Sequence, residues 1–363
     1  MLFRSHTGVV DWVHTFSPTL ILNLRASANR YIEAARFEGG LGYDASQLGF
    51  PTSLISQLPV KMFPRFNFSD FISYGRGSFS REPTNVYSFQ PNMSLNSGAH
   101  ALRFGLDLRY SQYARLVSGN GGMQISFDRT FTQKDFARAD TLSGSSIASF
   151  LLGAPASGNV DANAFPIYMF KYYAPWIQDD WKITRNLTLN LGLRWDLNGP
   201  PVERYNRANY GFDPTAVNPV SARVDKSKLL NGATQVFGGL GFAGVNGNPT
   251  TPYKYDKNNI QPRIGAAYSL GTKTVLRGGF GRYYLNPVGA PGFPLNGFSL
   301  TTPLIASLDG NRTPTYALNN PFPTVNRPAG AGRGLETFLG NTFQYSNPNY
   351  TVPYVHNFSL AIQ

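Results

Sequence analysis

Charged side chains that could do chemistry recur at alternate positions in several segments of this sequence. Six arginines and three aspartates have this spacing, and these candidates are Arg25, Arg103, Asp107, Arg109, Asp180, Arg194, Asp196, Arg263 and Arg277. Alternate residues of a strand point to the same face. The series therefore predicts a polar face on which arginines pair with carboxylates; contact with an anionic substrate is the second possibility. Asp179 and Asp180 are adjacent, so they point to opposite faces and cannot act as a catalytic dyad.

Other motifs that could indicate catalysis or metal binding are weak. The four histidines, His6, His14, His100 and His356, show no metal-ligand spacing, and cysteine is absent. Residues 239–244 match G-x-G-x-x-G, but the stretch up to Pro249 cannot begin the helix that a dinucleotide site requires. A flexible external loop is the preferred interpretation there. The sequence therefore predicts no enzyme, no metal site and no cofactor.

The segment that carries Arg194 and Asp196 alternates without exception. Leu187, Leu189, Leu191, Leu193 and Trp195 take one side, while polar residues and Gly192 take the other. The run has about ten residues, enough to cross a bilayer at a tilt, whereas strands of soluble proteins usually have about five or six. The same pattern recurs at residues 102–111 and, less regularly, in the other candidate strands. Each strand thus has one apolar and one polar face.

Composition agrees with a membrane barrel. Charged residues make up 14% of the 363 residues, against about 25% in an average soluble domain, and aromatic residues make up another 14%. Aromatics gather at and beside the central strand, at Tyr172, Tyr173, Trp176, Trp181 and Trp195. Aromatic girdles at both interfaces are typical of outer-membrane barrels. The net charge of +12 is scattered along the chain, which disfavours nucleic-acid binding.

Short links and long aperiodic stretches follow one another along the chain. Hairpins are predicted at residues 8–31, 82–113, 172–196 and 259–284, further strands at 123–132, 157–167 and 352–363, and helical turns at 145–153. Residues 32–80, 197–258 and 286–350 show no period. Outer-membrane barrels combine short periplasmic turns with long external loops in this way. We predict an all-β fold: residues 1–363 form one partial antiparallel transmembrane β-barrel domain of about eleven strands, half of a barrel of about 22 strands.

The central hairpin resembles TonB-dependent outer-membrane receptors, most closely the Oar-like group. The similarity lies in residues 172–184 and 187–196, with further agreement at 14–19, 148–153, 261–265 and 275–281. The resemblance implies a parent protein with a signal peptide, a plug with a TonB box, and a 22-stranded barrel. We expect this chain to be a middle part of that barrel, without signal peptide, plug or TonB box.

The resemblance also implies a location and a role. The expected location is the outer membrane, and the expected partners are outer-membrane lipid, a large scarce solute, and the TonB system through the plug. The first alternative is a passive porin or a structural or adhesive outer-membrane protein. The second is a soluble glycan-binding β-sandwich, in which the leucines would be packed between two sheets.

Overall fold

The computed structural model of the chain describes residues 2–35, 40–138, 141–285 and 294–363. Parts of the predicted loops, at 36–39, 139–140 and 286–293, lie outside these residues. The described part contains eighteen strands, which are β1 Leu2–Ser17, β2 Leu20–Ala35, β3 Arg65–Phe68, β4 Ser80–Ser97, β5 His100–Ala114, β6 Leu116–Val117, β7 Gln124–Phe127, β8 Ser157–Ala162, β9 Ile167–Lys182, β10 Leu187–Trp195, β11 Leu197–Asn198, β12 Val202–Glu203, β13 Asn209–Val217, β14 Phe237–Phe242, β15 Ile260–Ser269, β16 Val275–Tyr284, β17 Leu300–Pro303 and β18 Tyr354–Ile362.

Nine of these strands form one antiparallel sheet in the order β1-β2-β4-β5-β9-β10-β15-β16-β18. The short strands β6, β11 and β12 extend it by pairing with β4 and β9. The sheet is open in the described residues, because β1 pairs only with β2 and β18 only with β16. All neighbouring strands on this path pair antiparallel, in registers that keep apolar residues on one face and polar residues on the other.

All short links lie at one end of this sheet and all long connections lie at the other. The short links join β1 to β2, β4 to β5, β9 to β10 and β15 to β16. The long connections span residues 36–79, 115–166, 199–259 and 285–353, and we call their described parts the loop layer. The predicted one-sided arrangement of loops is therefore confirmed.

The two faces of the sheet differ as the alternation predicts. On β10 the apolar face carries Leu191, whose register partners are Asp179 on β9 and Ile264 on β15. The polar face carries Asn190, whose partners are Asp180 and Gly265. Leu193 is 49% exposed and Ile264 54%, so these side chains are not packed between two sheets. The packed core that the alternative of a soluble sandwich requires is absent from this part of the described chain.

The predicted strands at 123–132 and 157–167 are strands, but they do not belong to the large sheet. They contain β7 and β8, which form a separate four-stranded sheet in the order β17-β8-β7-β3. Of the eleven predicted strands, nine therefore lie in the large sheet. The reason is their length: β7 and β8 are too short to cross a bilayer and bury Ile125, Phe127 and Val160 within the loop layer instead.

The loop layer has a hydrophobic core of its own. The buried side chains that share this core come from three of the connections and include Phe50, Leu54, Met123, Ile125, Phe127, Val160, Leu304, Phe322 and Val325. The helix α1 spans Thr52–Ile55 and α2 spans Ser146–Leu151; 3-10 turns lie at Ala45–Leu48, Pro219–Ala222, Lys226–Lys228, Leu230–Gly232 and Gly334–Glu336. The described parts of these connections are thus folded, including those that fall in stretches without sequence periodicity.

Two local predictions in these connections can now be assessed. The helical turns predicted at 145–153 correspond to α2, whose N-cap Ser145 accepts a hydrogen bond from the backbone N–H of Ile147. The glycine-rich stretch at 239–244 was predicted to be a flexible loop, but its first residues belong to β14, which pairs with β13 and buries Leu240 and Phe242. No helix in the described part of the chain has the length and apolar character needed to span a membrane.

Candidate functional site

The register places the predicted candidates on the polar face. Arg103 pairs with Gln178, Arg109 with Tyr172, and Arg194 with Trp176. Across the remaining strands, the polar-face pairs are Asp11–Arg25, Arg25–Gln90, Ala101–Asp180, Gly192–Arg263 and Ala267–Arg277. Asp107 and Asp196 lie two residues from Arg109 and Arg194, so they share the same face. The face is continuous from β1 to β18.

A network around Asp107 joins three strands of this face. Arg109 donates from Nε to Asp107 Oδ1 at 2.9 Å and from Nη2 to Oδ2 at 2.7 Å. Arg194, on β10, donates from Nη2 to Asp107 Oδ2 at 3.0 Å, and Gln90, on β4, donates to Oδ1 at 3.2 Å. Asp107 is 6% exposed. Its carboxylate is therefore satisfied by two guanidinium groups and an amide, as a buried charge requires.

Arg194 extends this network to Asp196 and Tyr172. Its Nε lies 2.9 Å from Asp196 Oδ1, and Tyr172 donates its hydroxyl hydrogen to the same oxygen at 2.9 Å. Nη2 of Arg194 also donates to the Tyr172 hydroxyl oxygen at 2.7 Å. The guanidinium groups of Arg109 and Arg194 lie 5.3 and 5.9 Å from the centre of the Tyr172 ring. The charges of the two aspartates and two arginines cancel. Because the hydrogen bonds run between side chains of different strands, the network holds β5, β9 and β10 in fixed positions relative to one another.

Two further arginines of the predicted set, Arg25 and Arg103, are also paired with carboxylates. Arg25 donates to Asp11 from Nε at 2.9 Å and from Nη2 at 2.6 Å. Asp180 lies 3.8 Å from Arg103 and accepts a hydrogen bond from the Asn190 amide at 2.6 Å. These pairings agree with the preferred interpretation that the arginines neutralise carboxylates.

Arg263 and Arg277 differ from the other four arginines. Within the described residues, no carboxylate lies within ion-pair distance of either. Arg263 lines a groove of about 360 Å³ on the polar face of β9, β10, β15, β16 and β18, next to Gln178, Asn190 and Tyr283. Its guanidinium carbon lies 4.7 Å from the centre of the Tyr283 ring.

Several residues of the site were missed from the sequence. Tyr172 and Trp176 were assigned to an aromatic girdle, but both lie on the polar face, whereas Tyr173 and Trp181 share the apolar face with the girdle residue Trp195. Neighbouring strand residues must point to opposite sides, so four close aromatics could not all face lipid. Gln90 and Asp11 carried no signal, because their roles depend on partners in other strands.

One acidic residue lies on the apolar face. Asp179 Oδ2 is hydrogen-bonded to His100 Nδ1 at 2.6 Å. The His100 ring stacks on Trp181, with ring centroids 5.2 Å apart. Both lie near the short links, His100 at the start of β5 and Asp179 close to the end of β9. Among the described residues, no cluster of three or more histidines and acidic residues could hold a metal ion.

The chain belongs to the family of outer membrane beta barrel domains, whose pattern matches residues 2–363. Its location is therefore the outer membrane, as the sequence predicted. The comparison with curated proteins finds no match.

Two solved structures show a distant similarity to this chain. Both are of the ferric-catecholate import receptor Fiu from E. coli K12. The open form has 10% identity and a TM-score of 0.32, with 78% of this chain and 36% of Fiu covered. The closed form has 10% identity and a TM-score of 0.33, with 80% and 34% covered. The chain thus spans about a third of the length of these structures.

Proposed function

We propose that the chain is the barrel segment of a TonB-dependent receptor of the Oar-like group, which takes up a large, scarce solute. In this proposal the polar face lines the lumen and the apolar face contacts lipid. An arginine on the lipid face near the midplane would cost about 2–4 kcal/mol, whereas water in the lumen solvates it. The TonB system would act through the plug of the receptor.

The observation that carries the proposal is that the loop layer packs against the polar face of the large sheet. Tyr113 and Tyr168 point from the polar face at the long-connection end, and Ala208 and Ala243 of the loop layer pack against Tyr168 in a small buried cluster. Glu203 ties the same region down by accepting hydrogen bonds from the backbone N–H groups of Ile167, Tyr205 and Arg207. A folded cover on the polar side suits a gated receptor better than an open pore.

The charge arrangement supports transport rather than catalysis. The carboxylates of the Asp107 network are fully paired with arginines, so no free general base lies beside an activated nucleophile there. We therefore propose that the chain is not an enzyme and needs no cofactor. A passive porin or an adhesive barrel is the alternative, favoured by the neutral, rigid wall of the network. A soluble sandwich does not fit the family.

Energy dependence separates the receptor from the alternatives. Solutes remaining in a complex growth medium would be compared between cells with the gene and a deletion strain, with and without a protonophore. We expect at least one large solute to be depleted only by cells with the gene and only without the protonophore. Depletion that the protonophore leaves unchanged would indicate a porin, and identical media from both strains would indicate a structural role.

A further inference from the structure

The last three strands of the large sheet contain no acidic residue. Residues 260–269, 275–284 and 354–362 include Arg263, Arg277 and Arg282 but no aspartate or glutamate. The strands from β1 to β10, by contrast, supply the aspartates that neutralise Arg25, Arg109 and Arg194. The polar face is therefore neutral on one side and cationic on the other.

The cationic side contains a groove with a floor of glycine. Gly192, Gly265, Gly279 and Gly281 line it, and its polar walls come from Gln178, Asn190, Asn357 and Ser359. Two of these four glycines could not take a side chain freely: a Cβ at Gly279 would lie 3.1 Å from Ser359 Oγ, and one at Gly281 would lie 2.7 Å from the Tyr283 ring. The glycines keep the space above the sheet open.

Gly281 also determines how Arg263 is held. The register sets Arg263 opposite Gly281, and the Tyr283 ring lies over that glycine and against the guanidinium. Ring stacking fixes the plane of a guanidinium without using its N–H donors. Arg263 is therefore oriented, charged and without a carboxylate among the described residues.

We propose that this groove binds the oxyanion of a hydroxylated solute, a carboxylate or a phosphate, with Arg263 as the main contact. Guanidinium groups bind both anions through paired N–H···O bonds. The amides of Gln178, Asn190 and Asn357 and the hydroxyl of Ser359 provide donors and acceptors for the solute's hydroxyl groups. The inference rests on the proposed function, because the solute reaches the groove only if the polar face lines the lumen.

Citrate is a suitable probe, since it carries carboxylates and a hydroxyl group and is small enough for the groove. Its binding to the full chain, folded in detergent micelles, would be measured by titration calorimetry at low salt. Glucose, which has hydroxyl groups but no charge, is the matched neutral probe. We expect saturable citrate binding that weakens with salt, and at least about tenfold weaker binding of glucose.

Arg263→Gln should weaken citrate binding about tenfold or more, the equivalent of one lost charge-assisted hydrogen-bond pair. Arg263→Lys should restore part of it. The control is Arg282→Gln, which removes the same charge from the same three strands but from the apolar face, where Arg282 contacts His356 and Tyr354. Circular dichroism and heat-modifiable gel migration would verify that each variant folds.

Two results would overturn the inference. One is absence of saturable citrate binding to the wild type, as expected if an acidic polypeptide segment fills the groove. The other is equal weakening by Arg282→Gln and Arg263→Gln, which would mean that only net charge matters. Both are independent of the protonophore experiment: citrate can bind at Arg263 in a barrel whose uptake needs no energy, and energised uptake can occur without this site.

Discussion

Phe127 and Ile125 in the loop layer are 1% and 0% exposed, whereas Phe358 and Leu360 on the apolar face of the large sheet are 73% and 79% exposed. Both regions come from one chain and use similar apolar residues. The loop layer hides them in a core, as a water-soluble domain does. The sheet displays them on one side, which is stable only where the surrounding medium is itself apolar. The loop layer is therefore built for contact with water, and the apolar face of the large sheet is built for contact with lipid.

The largest expected effect in this comparison comes from the loop core. Phe127→Ala removes a ring that packs against Phe68 and Phe150, at centroid distances of 5.7 and 5.2 Å. It should destabilise the loop layer by about 3–5 kcal/mol, since the burial of the ring is lost and the surrounding side chains relax only partly into the cavity. Limited proteolysis of the folded protein would show faster cleavage in the loop layer. Intact large-sheet strands in the same digest are the expected control, and uniform cleavage of both regions would contradict this difference between them.

The next effect should come from the apolar face. Leu191→Arg puts a charge on the side that faces lipid. It should destabilise the folded state in the membrane by about 2–4 kcal/mol. Its neighbour Asn190 is on the polar face, so Asn190→Arg should change this quantity much less. Folding into lipid vesicles during urea dilution, followed by gel shift, measures both. Equal losses in the two variants would mean that the faces are wrongly assigned.

A smaller effect is expected where the loop layer joins the sheet. Burial alone would raise the pKa of Glu203, but the backbone N–H groups of Arg207, Ile167 and Tyr205 and the Arg207 guanidinium outweigh it and hold the pKa below its usual value. The stabilisation is therefore present above the unfolded pKa, about 4.3, and is lost as pH falls through the lower folded pKa. Glu203→Gln should cost about 1.5–3 kcal/mol at neutral pH.

Hydrogen exchange of residues 203–209, corrected for the intrinsic rate at each pH, would measure this effect. Wild type should lose protection below about pH 4, while Glu203→Gln should be less protected at neutral pH and insensitive to acid. Asp135→Asn, which removes an exposed loop carboxylate, serves as the control. Acid sensitivity that persists in Glu203→Gln would assign the effect to another group.

The sequence predicted the large sheet well because its information is local. Period-two alternation identified the hairpins, and it placed Arg194 and Asp196 on one face, where they form an ion pair. The extent of the strands was underestimated: β1 begins at Leu2 rather than Gly8, and β9 begins at Ile167 rather than Tyr172. The added residues lie toward the loop layer, where both faces meet polar or protein surroundings and alternation fades.

What the sequence could not predict depends on distant pairing. Arg194 reaches Asp107 only because β5, β9 and β10 are neighbours in a particular register. The core of the loop layer combines residues from three connections, so no single window contains its pattern. Tyr172 was misassigned because its strand has aromatics on both sides, and only the pairing with Arg109 reveals its direction.

One link in the loop layer has a mechanical consequence. Gln57, from the connection between β2 and β4, accepts a hydrogen bond at its Oε1 from the backbone N–H of Val325, and its backbone oxygen accepts another from Arg327. Val325 and Arg327 belong to the connection between β16 and β18, near the opposite margin of the sheet. The strands at the two margins of the sheet are therefore joined through the loop layer as well as through the ladder of strands between them.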